Sequence, residues 1–550
     1  MFGAGGGTSS YEEVENTDLI VLWGSNARET HPIFFHHALK GVRRGAKLYV
    51  VDPRRTTSAE WADVWLGIDV GSDIALSNTM AREIIGAGLA NKAFIENATS
   101  GFEEYAASIE PWTLEEGERV TRVPAGVIRE FAHAYARADR AILCWTLGIT
   151  EHHNAVDNVL ALINLGLLCG HVGRYGSGLN PLRGQNNVQG GGDMGAIPNK
   201  LPGFQDIEKD TAAREKFEKA WDCRIPPKYG WHLTAMFEAM ERGELRALYV
   251  IGENPAASEA DANRANHLLE NLDCLIVQDI FMTKTAEMAD VLLPAAVSAI
   301  ESEGTVTNSE RRVQRVRKAL EPPGGAKDDI WILAEMAARL GRDWGEVTPR
   351  SAWEELRTLS PMHAGMSYER LEALDGIQWP CPDDEHPGTK YLHARLWEKD
   401  PHERGPAAPF SVVEFEPPVD ELTEEFPIRL TTGRRLDSYN TGVQSGLYSS
   451  PNRRKEAVCI SPEEAEQLGV GDGERVLVSS RRGNVEAPVS LDRSLRPGLA
   501  FMTLHFPDQV ETNALTIDAT DPKSGTAEFK ASAIRIEKLE KSAASGGSGE

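Results

Sequence analysis

One pattern, written twice, constrains the fold of this chain more than anything else in it. An apolar run at 18–24 (DLIVLWG) leads through Ser25-Asn26 and a helical stretch at 30–43 to a second apolar run at 47–51, which ends in Asp52-Pro53-Arg54. The same order returns as runs at 248–252, 258–270 and 274–277, followed by Asp279. The copies align in their polar residues as well. Gly24-Ser25-Asn26 matches Gly252-Glu253-Asn254, and the next aspartates stand 28 (52 − 24) and 27 (279 − 252) residues on. Thr56 and Thr283 each lie four residues after the aspartate, and Asp63 and Asp290 each lie eleven after it. Strand, helix and strand make a βαβ unit, so the chain is expected to be α/β with parallel sheets. Such sheets hold ligands at the carboxyl ends of their strands, where an acidic side chain commonly takes ribose hydroxyls. Two units therefore predict two nucleotide sites related by a pseudo-twofold. Ordinary α/β repetition, with Asp52 and Asp279 only capping turns, is the alternative. Neither copy carries GxGxxG, so a plain nicotinamide site is not supported.

Length and charge set the outer limits. With 550 residues the chain has room for about three to four domains. A net charge of −25 argues against nucleic acid and anionic membranes as partners. No apolar run approaches the ~18 residues of a membrane span, so membrane insertion is not expected. The six cysteines form no CxxC pair and none has a histidine at zinc spacing, so no iron–sulfur or zinc site is expected in this chain. Cys144, Cys169 and Cys274 lie in apolar stretches and are expected to be buried. This usage fits a reducing compartment, and with no signal pattern at the start a cytoplasmic location is expected.

Between the two units lie a helical stretch at 124–137, a strand at 141–147 and an apolar helix at 156–169. After a glycine-spaced turn comes the most unusual run, residues 180–195: NPLRGQNNVQGGGDMG. Its carboxamides pair donors with acceptors, which suits the edge of a fused heterocycle. Its glycines let backbone approach a bulky ligand. Arg183 presents a planar fork for a small carboxylate or a phosphate. Further on, helices are expected at 329–340 and 351–357, and a Pro-rich linker at 406–427. From Phe426 short alternating strands between Gly/Asp turns suggest a small closed barrel. The expected divisions are 1–185 and 186–297 for the two Rossmann-like units, 298–424 for a helical connecting region, 425–540 for the barrel and 541–550 for a disordered tail.

The run at 180–195 resembles the active-site loop of the formate dehydrogenase catalytic (alpha) subunit, in the molybdopterin bis-guanine dinucleotide (DMSO reductase) superfamily. The similarity extends from about residue 2 to about residue 537 through WGSNARETHP (23–32), VDPR (51–54), GSDIAL (71–76), IVQDIFMTKTAEMADVLLP (276–294), EGTVTN (303–308) and TTGRRLDSYNTG (431–442). The resemblance implies a molybdenum or tungsten ion held by two pterin guanine dinucleotides, and a C-terminal double-psi β-barrel closing over one of them. By position, Asn26, Glu29, Asp52, Arg54, Gly71 and Asp73 would hold one dinucleotide, with Gln185 and Asn186 in the active-site loop. Gly252, Asn254, Gln278, Asp279 and Asp329 would hold part of the other, and Gly433, Arg434, Asn513, Phe529 and Lys530 would be the barrel's share. Asn513 and Lys530 as solvated loop residues are the alternative. Arg183 would orient formate while two electrons pass through the metal to an iron–sulfur cluster, releasing CO2.

The departure from the family is at the front. There an iron–sulfur domain precedes a Cys or selenocysteine metal ligand with a His directly after it, and residues 2–10 here resemble the stretch just downstream of that ligand. No Cys lies before Cys144 and no Cys-His pair occurs. His36-His37 and His152-His153 are candidate replacements, but both pairs are expected in helices, which argues against a metal role. The expectation is a fragment or half of a split subunit, dependent on an iron–sulfur polypeptide or electron-transfer subunit. Alternatives are a related oxoanion reductase such as a nitrate reductase, or a non-catalytic cofactor-binding subunit.

Overall fold

The computed structural model describes residues 5–539, apart from 299, 437, 439 and 442–455. The expectations for residues 2–4, for part of the 431–442 motif and for the tail at 541–550 thus fall outside the described residues.

The first unit is a five-stranded parallel sheet of β1 (Leu19–Trp23), β2 (Lys47–Val51), β3 (Val64–Leu66), β4 (Ala141–Trp145) and β5 (Gly178–Pro181). Its order is β3-β2-β1-β4-β5. Alternate residues of β1 enter different cores, as the period of two demands. Leu19, Val21 and Trp23 pack with Phe131 and Tyr135, while Ile20 and Leu22 pack with Phe34 and Phe35. Helices thus cover both faces, which is why these strands read as continuous apolar runs. The order reverses between β1 and β4, where an open α/β sheet leaves a crevice.

The second unit is a smaller parallel sheet, β8-β7-β6, of β6 (Ala247–Ile251), β7 (Cys274–Asp279) and β8 (Val291–Pro294). The helix expected at 258–270 is two, Pro255–Ser258 and Ala262–Glu270. Asp261 separates them: it adopts a left-handed conformation (φ +46°) and its side chain accepts from Arg264 N at the second helix's start. Cys144 and Cys169 are buried as expected, Cys274 only partly, and Cys381 and Cys459 are buried as well.

Residues 298–424 differ from a purely helical connection. An antiparallel sheet of β9 (Gly304–Thr307), β10 (Arg312–Val316) and β11 (Ile377–Gln378) packs on Trp353, Tyr368 and Trp379 beside the expected helices Asp329–Arg339 and Pro349–Leu359. The stretch 406–427 is not a free linker. Ala408–Pro409 pairs with Thr99–Ser100, Phe410 stacks on Tyr105 at 5.0 Å, and Asn164 exchanges two hydrogen bonds with the backbone of Ser411. Its apolar residues Phe410 and Val413 are buried against the first unit and hold it down. The end of the chain is the expected closed barrel, six strands in the order β12-β16-β13-β15-β14-β17: β12 (Ile428–Gly433), β13 (Val458–Ile460), β14 (Arg475–Ser479), β15 (Asn484–Leu491), β16 (Leu499–Thr503) and β17 (Ser532–Lys538). β12–β16 and β13–β15 pair in parallel and the other neighbours antiparallel. Among the described residues no helix is long and apolar enough to cross a membrane.

Candidate functional site

The repeat seen in the sequence is a repeat of hydrogen bonds. In the first unit Asn26 Oδ1 accepts from Ser58 N (3.2 Å) and Ser58 Oγ (2.9 Å), and Ser58 Oγ accepts from Arg28 N (3.0 Å). In the second, Asn254 Oδ1 accepts from Thr285 N (3.2 Å) and Thr285 Oγ1 (2.8 Å), and Thr285 Oγ1 accepts from Ala256 N (3.0 Å). Asp52 Oδ1 accepts from Arg54 N, and Asp279 Oδ1 from Phe281 N. Gly24 N and Gly252 N each donate to the residue before the aspartate, both at 2.8 Å. Those glycines have φ of +57° and +64°, a conformation that costs other residues a Cβ clash. Asp63 and Asp290 accept from Leu48 N and Leu275 N. The aspartates do cap their turns, and the capped turns open onto a common space.

That space is a cleft of about 930 Å³ at the carboxyl ends of both sheets, closed on its third side by the barrel. It is lined by Asn26, Asp52, Arg54, Gly71, Asp73 and Gln185 from the first unit and its loop. Gly252, Asn254, Gln278, Asp279 and Asp329 line the second side, and Gly433, Arg434, Phe529 and Lys530 the barrel side. Gly24, Thr146 and Gly148 place its floor at the β1/β4 reversal.

Carboxyl groups dominate the two sheet walls. Burial pushes Asp52 up to about 6 and raises Asp73, Asp279, Asp329 and Glu253. Burial, with Glu253 beside it, pushes Glu259 up to about 8. Such walls suit a ligand rich in N–H and O–H donors. Cations stand among and across from them: Arg54, on the first wall, lies 3.6 Å from the Phe501 ring centroid, and Lys530, on the barrel side, pairs with Glu151 (2.7 Å) and donates to Thr432 O (3.0 Å). Glu259 makes stability depend on pH. A carboxyl whose folded pKa is raised favours folding when protonated, so no penalty exists below its unfolded value of about 4.5. Stability then falls as pH climbs from there through about 8, by up to a few kcal/mol. Denaturant titrations of the ligand-free protein at pH 5 and pH 9 should show a smaller difference for Glu259→Gln than for the wild type. Equal differences would place that carboxylate in water.

The structure does not bring every expected residue to the cleft. Glu29, Arg183, Asn186 and Asn513 lie off its lining. Glu29 accepts from Thr57 Oγ1 (3.0 Å), which braces the Asn26 loop. Asn186 is exposed. Asn513 is neither solvated nor facing the cleft: buried, it donates to Ala257 O (3.1 Å) and ties the barrel to the second unit. Lys530, the other candidate for a solvated loop residue, is buried too.

Arg183 is held off the cleft lining by its own loop and by three other segments. Its backbone is clamped by Ser309 Oγ, which accepts from Arg183 N (2.9 Å), and by His31 Nε2 at 2.6 Å from Arg183 O. Burial lowers the pKa of His31, so the neutral ring donates from Nε2 to that carbonyl. The Arg183 guanidinium donates from Nε to Gln189 Oε1 (3.1 Å) and from Nη2 to Gly5 O (2.9 Å). It therefore sits against the segment 5–7, beside the ring of Phe204.

The histidine pairs resolve differently. His36-His37 is helical, with His37 bonded to Glu15 (2.7 Å). His152-His153 is in a turn ahead of Ala155–Cys169, not in a helix. The turn forms because both rings and the His153 N–H converge on the buried carboxylate of Glu528 (3.1–3.4 Å). Burial opposes both charges, yet Glu528 and His152 hold each other ionised at the seam between barrel and first unit. The sequence reading missed this seam, which pairs residues far apart in the chain. It also missed Ser58 and Thr285, though each stands six residues after its aspartate, and the alignment that matched Thr56 with Thr283 reaches them.

Residues 4–339 match the sequence profile of the molybdopterin oxidoreductase family, and residues 428–533 match that of the molydopterin dinucleotide binding domain. The chain belongs to the molybdopterin oxidoreductase family. Within it, the chain is 40% identical to the F420-dependent formate dehydrogenase 2 subunit alpha of Methanococcus maripaludis, over 98% of this chain and 79% of that one. It is 37% identical to formate dehydrogenase H of Escherichia coli, over 98% of this chain and 75% of that one. Acetylene hydratase from Pelobacter acetylenicus shares the fold, with a TM-score of 0.72 at 21% identity over 98% of this chain and 80% of that structure.

Proposed function

We propose that this chain is the catalytic core of a molybdenum- or tungsten-dependent formate dehydrogenase that holds two pterin guanine dinucleotides in the cleft between its two sheets. The observation that carries this reading is the duplicated loop geometry: two Asn-braced turns, two capped aspartates and two left-handed glycines facing one space. The residues fit the group. Asp52 and Glu259, both buried, and the half-buried Asp279 offer carboxyl oxygens to the donors of a guanine edge or a ribose, and Arg54 offers a stacked guanidinium to a phosphate. The space where a Gly252 side chain would project is open, leaving the backbone approachable. Bound there, the metal–dithiolene group supplies the two-electron redox chemistry. The chain's own share is orientation and electrostatics. Arg183, which lies off the cleft lining against Gly5 and next in the chain to the cleft residues Leu182 and Gly184, is our choice for the group that grips and orients the formate carboxylate. Passing the electrons on calls for an electron-transfer partner.

The test uses the native complex. Acid treatment should release guanine nucleotide approaching about two per chain, and the same preparation should reduce a dye with formate as donor. Formate-active material that reproducibly yields no guanine nucleotide would overturn the cofactor assignment. Turnover of nitrate in place of formate would overturn the substrate assignment.

A further inference from the structure

We propose that Asp193 and Gln189 are positioning residues that set the direction of the Arg183 guanidinium. The inference rests on the reading of Arg183 as the formate-gripping group. A carboxamide has one accepting end and one donating end. Gln189 Nε2 donates to Asp193 Oδ1 (2.8 Å) and to Gly5 O (2.9 Å), which uses both of its N–H bonds. Neither a carboxylate nor a carbonyl can donate in return. The opposite amide orientation would set Oε1 against two acceptors and Nε2 against the Arg183 Nε–H. Only the observed orientation satisfies all three contacts, and it leaves Oε1 to accept from Arg183 Nε at 3.1 Å.

Asp193 is itself fixed from behind. Trp379 Nε1 donates to its Oδ2 (2.7 Å), and Gly203 N donates to its backbone carbonyl (2.7 Å). Asp193 is fully buried and Trp379 is too, so neither relaxes into water. Gln189 and Asp193 lie four apart on the helix Val188–Asp193, the spacing that stacks side chains on one face. The order of orientation is thus Trp379 to Asp193 to Gln189 to Arg183. The charged groups facing Asp193 are Arg183 and Arg311, and the side chains of Gln189, Trp379 and Thr307 hydrogen-bond it. Burial pushes its carboxyl up to about 6, against those partners, so at neutral pH it is the acceptor this relay requires.

Asp193→Asn leaves one accepting oxygen where Gln189 and Trp379 each donate to a different oxygen and Thr307 bonds the same carboxylate, so either Trp379 or Gln189 loses its partner. In the holoenzyme this should lower kcat/KM for formate by about 10–100-fold, the usual worth of a hydrogen bond to a charged group, while guanine nucleotide content stays at the wild-type level. Gln189→Glu, nearly isosteric, turns the donating end into an acceptor facing two acceptors and should give a loss of the same order. The deciding measurement is the double variant. If both residues act through Arg183, adding either substitution to Arg183→Lys should cost less than about threefold further. A full, additive loss in that background, or wild-type kinetics in both single variants, would overturn the relay. If Arg183→Lys alone leaves formate turnover intact, the reading of Arg183 fails and the relay falls with it. That outcome is told apart by the Arg183→Lys single variant.

Discussion

Arg183→Lys is expected to lower formate turnover of the holoenzyme by about 10²–10³, worth roughly 3–4 kcal/mol of transition-state stabilisation. The geometry makes the substitution more severe than a change of one cation for another. Two of the guanidinium's three nitrogens are spent on Gln189 Oε1 and Gly5 O, and they fix the plane of the group. The remaining Nη1 takes no part in these two contacts and is the prong left for an oxyanion. A lysine ammonium can satisfy Gly5 O or approach an anion, but it has no rigid fork with which to do both. Loss of turnover with guanine nucleotide content unchanged is the expected result in steady-state assays paired with nucleotide release. Near-wild-type turnover would make the contact a diffuse charge effect. An emptied cofactor site would make Arg183 a ligand of pterin or phosphate instead.

Much of this site was legible in the sequence because it is built from local turns. The strand ending in aspartate, the left-handed glycine and the asparagine two residues later are each fixed by chemistry within a few residues, and the duplication checked one against the other. Asp52 and Asp279 illustrate the point. Each caps the turn after its strand through an N–H two residues on, and that turn brings it to the cleft. The barrel was legible for a similar reason, since short alternating strands between Gly/Asp turns leave few other ways to remove sheet edges.

What the sequence hid is what distant segments decide. The direction of Arg183 depends on Gly5, His31 and Ser309, from three different segments. Asn513 looks like a loop asparagine until the second unit supplies Ala257 O as its partner. The stretch 406–427 has the proline content of a linker, but Phe410 finds Tyr105 and Ser411 finds Asn164, and the pairing gives it a fixed course. The strands β9–β11 pair residues more than sixty apart at Arg312 and Gln378, which no local period announces. In each case a contact with a remote partner outweighed what the neighbouring residues prefer.

Arg311→Met is expected to destabilise the protein by about 3–5 kcal/mol, the scale for breaking a buried charged network on one side. Arg311 has no exposed surface. Its Nε donates to Gly7 O (2.7 Å), Nη1 to Trp379 O and to Thr389 O (2.9 Å), and Nη2 to Lys390 O (2.8 Å). One side chain thereby satisfies carbonyls from three separate stretches, including the segment that carries Gly5. Burial lowers its pKa to about 10, opposed by Glu13 and Glu310, so it stays charged at neutral pH. Methionine matches much of the volume but leaves four carbonyls without their donor and Glu13 without its cation, while Glu310 keeps Arg312 at 2.9 Å. Lysine restores a charge but not the geometry, and should recover only part of the loss. Guanidinium unfolding followed by tryptophan fluorescence is the measurement, since Trp379 lies 5.2 Å from the Arg311 guanidinium and reports the same transition. Amide exchange should rise first at Leu392, whose N–H donates to Thr8 O (2.8 Å) beside the carbonyls that Arg311 holds. A loss below about 1 kcal/mol would mean that water replaces the guanidinium, and that the packing of Trp379 rather than the charge holds segment 5–7 beside Arg183.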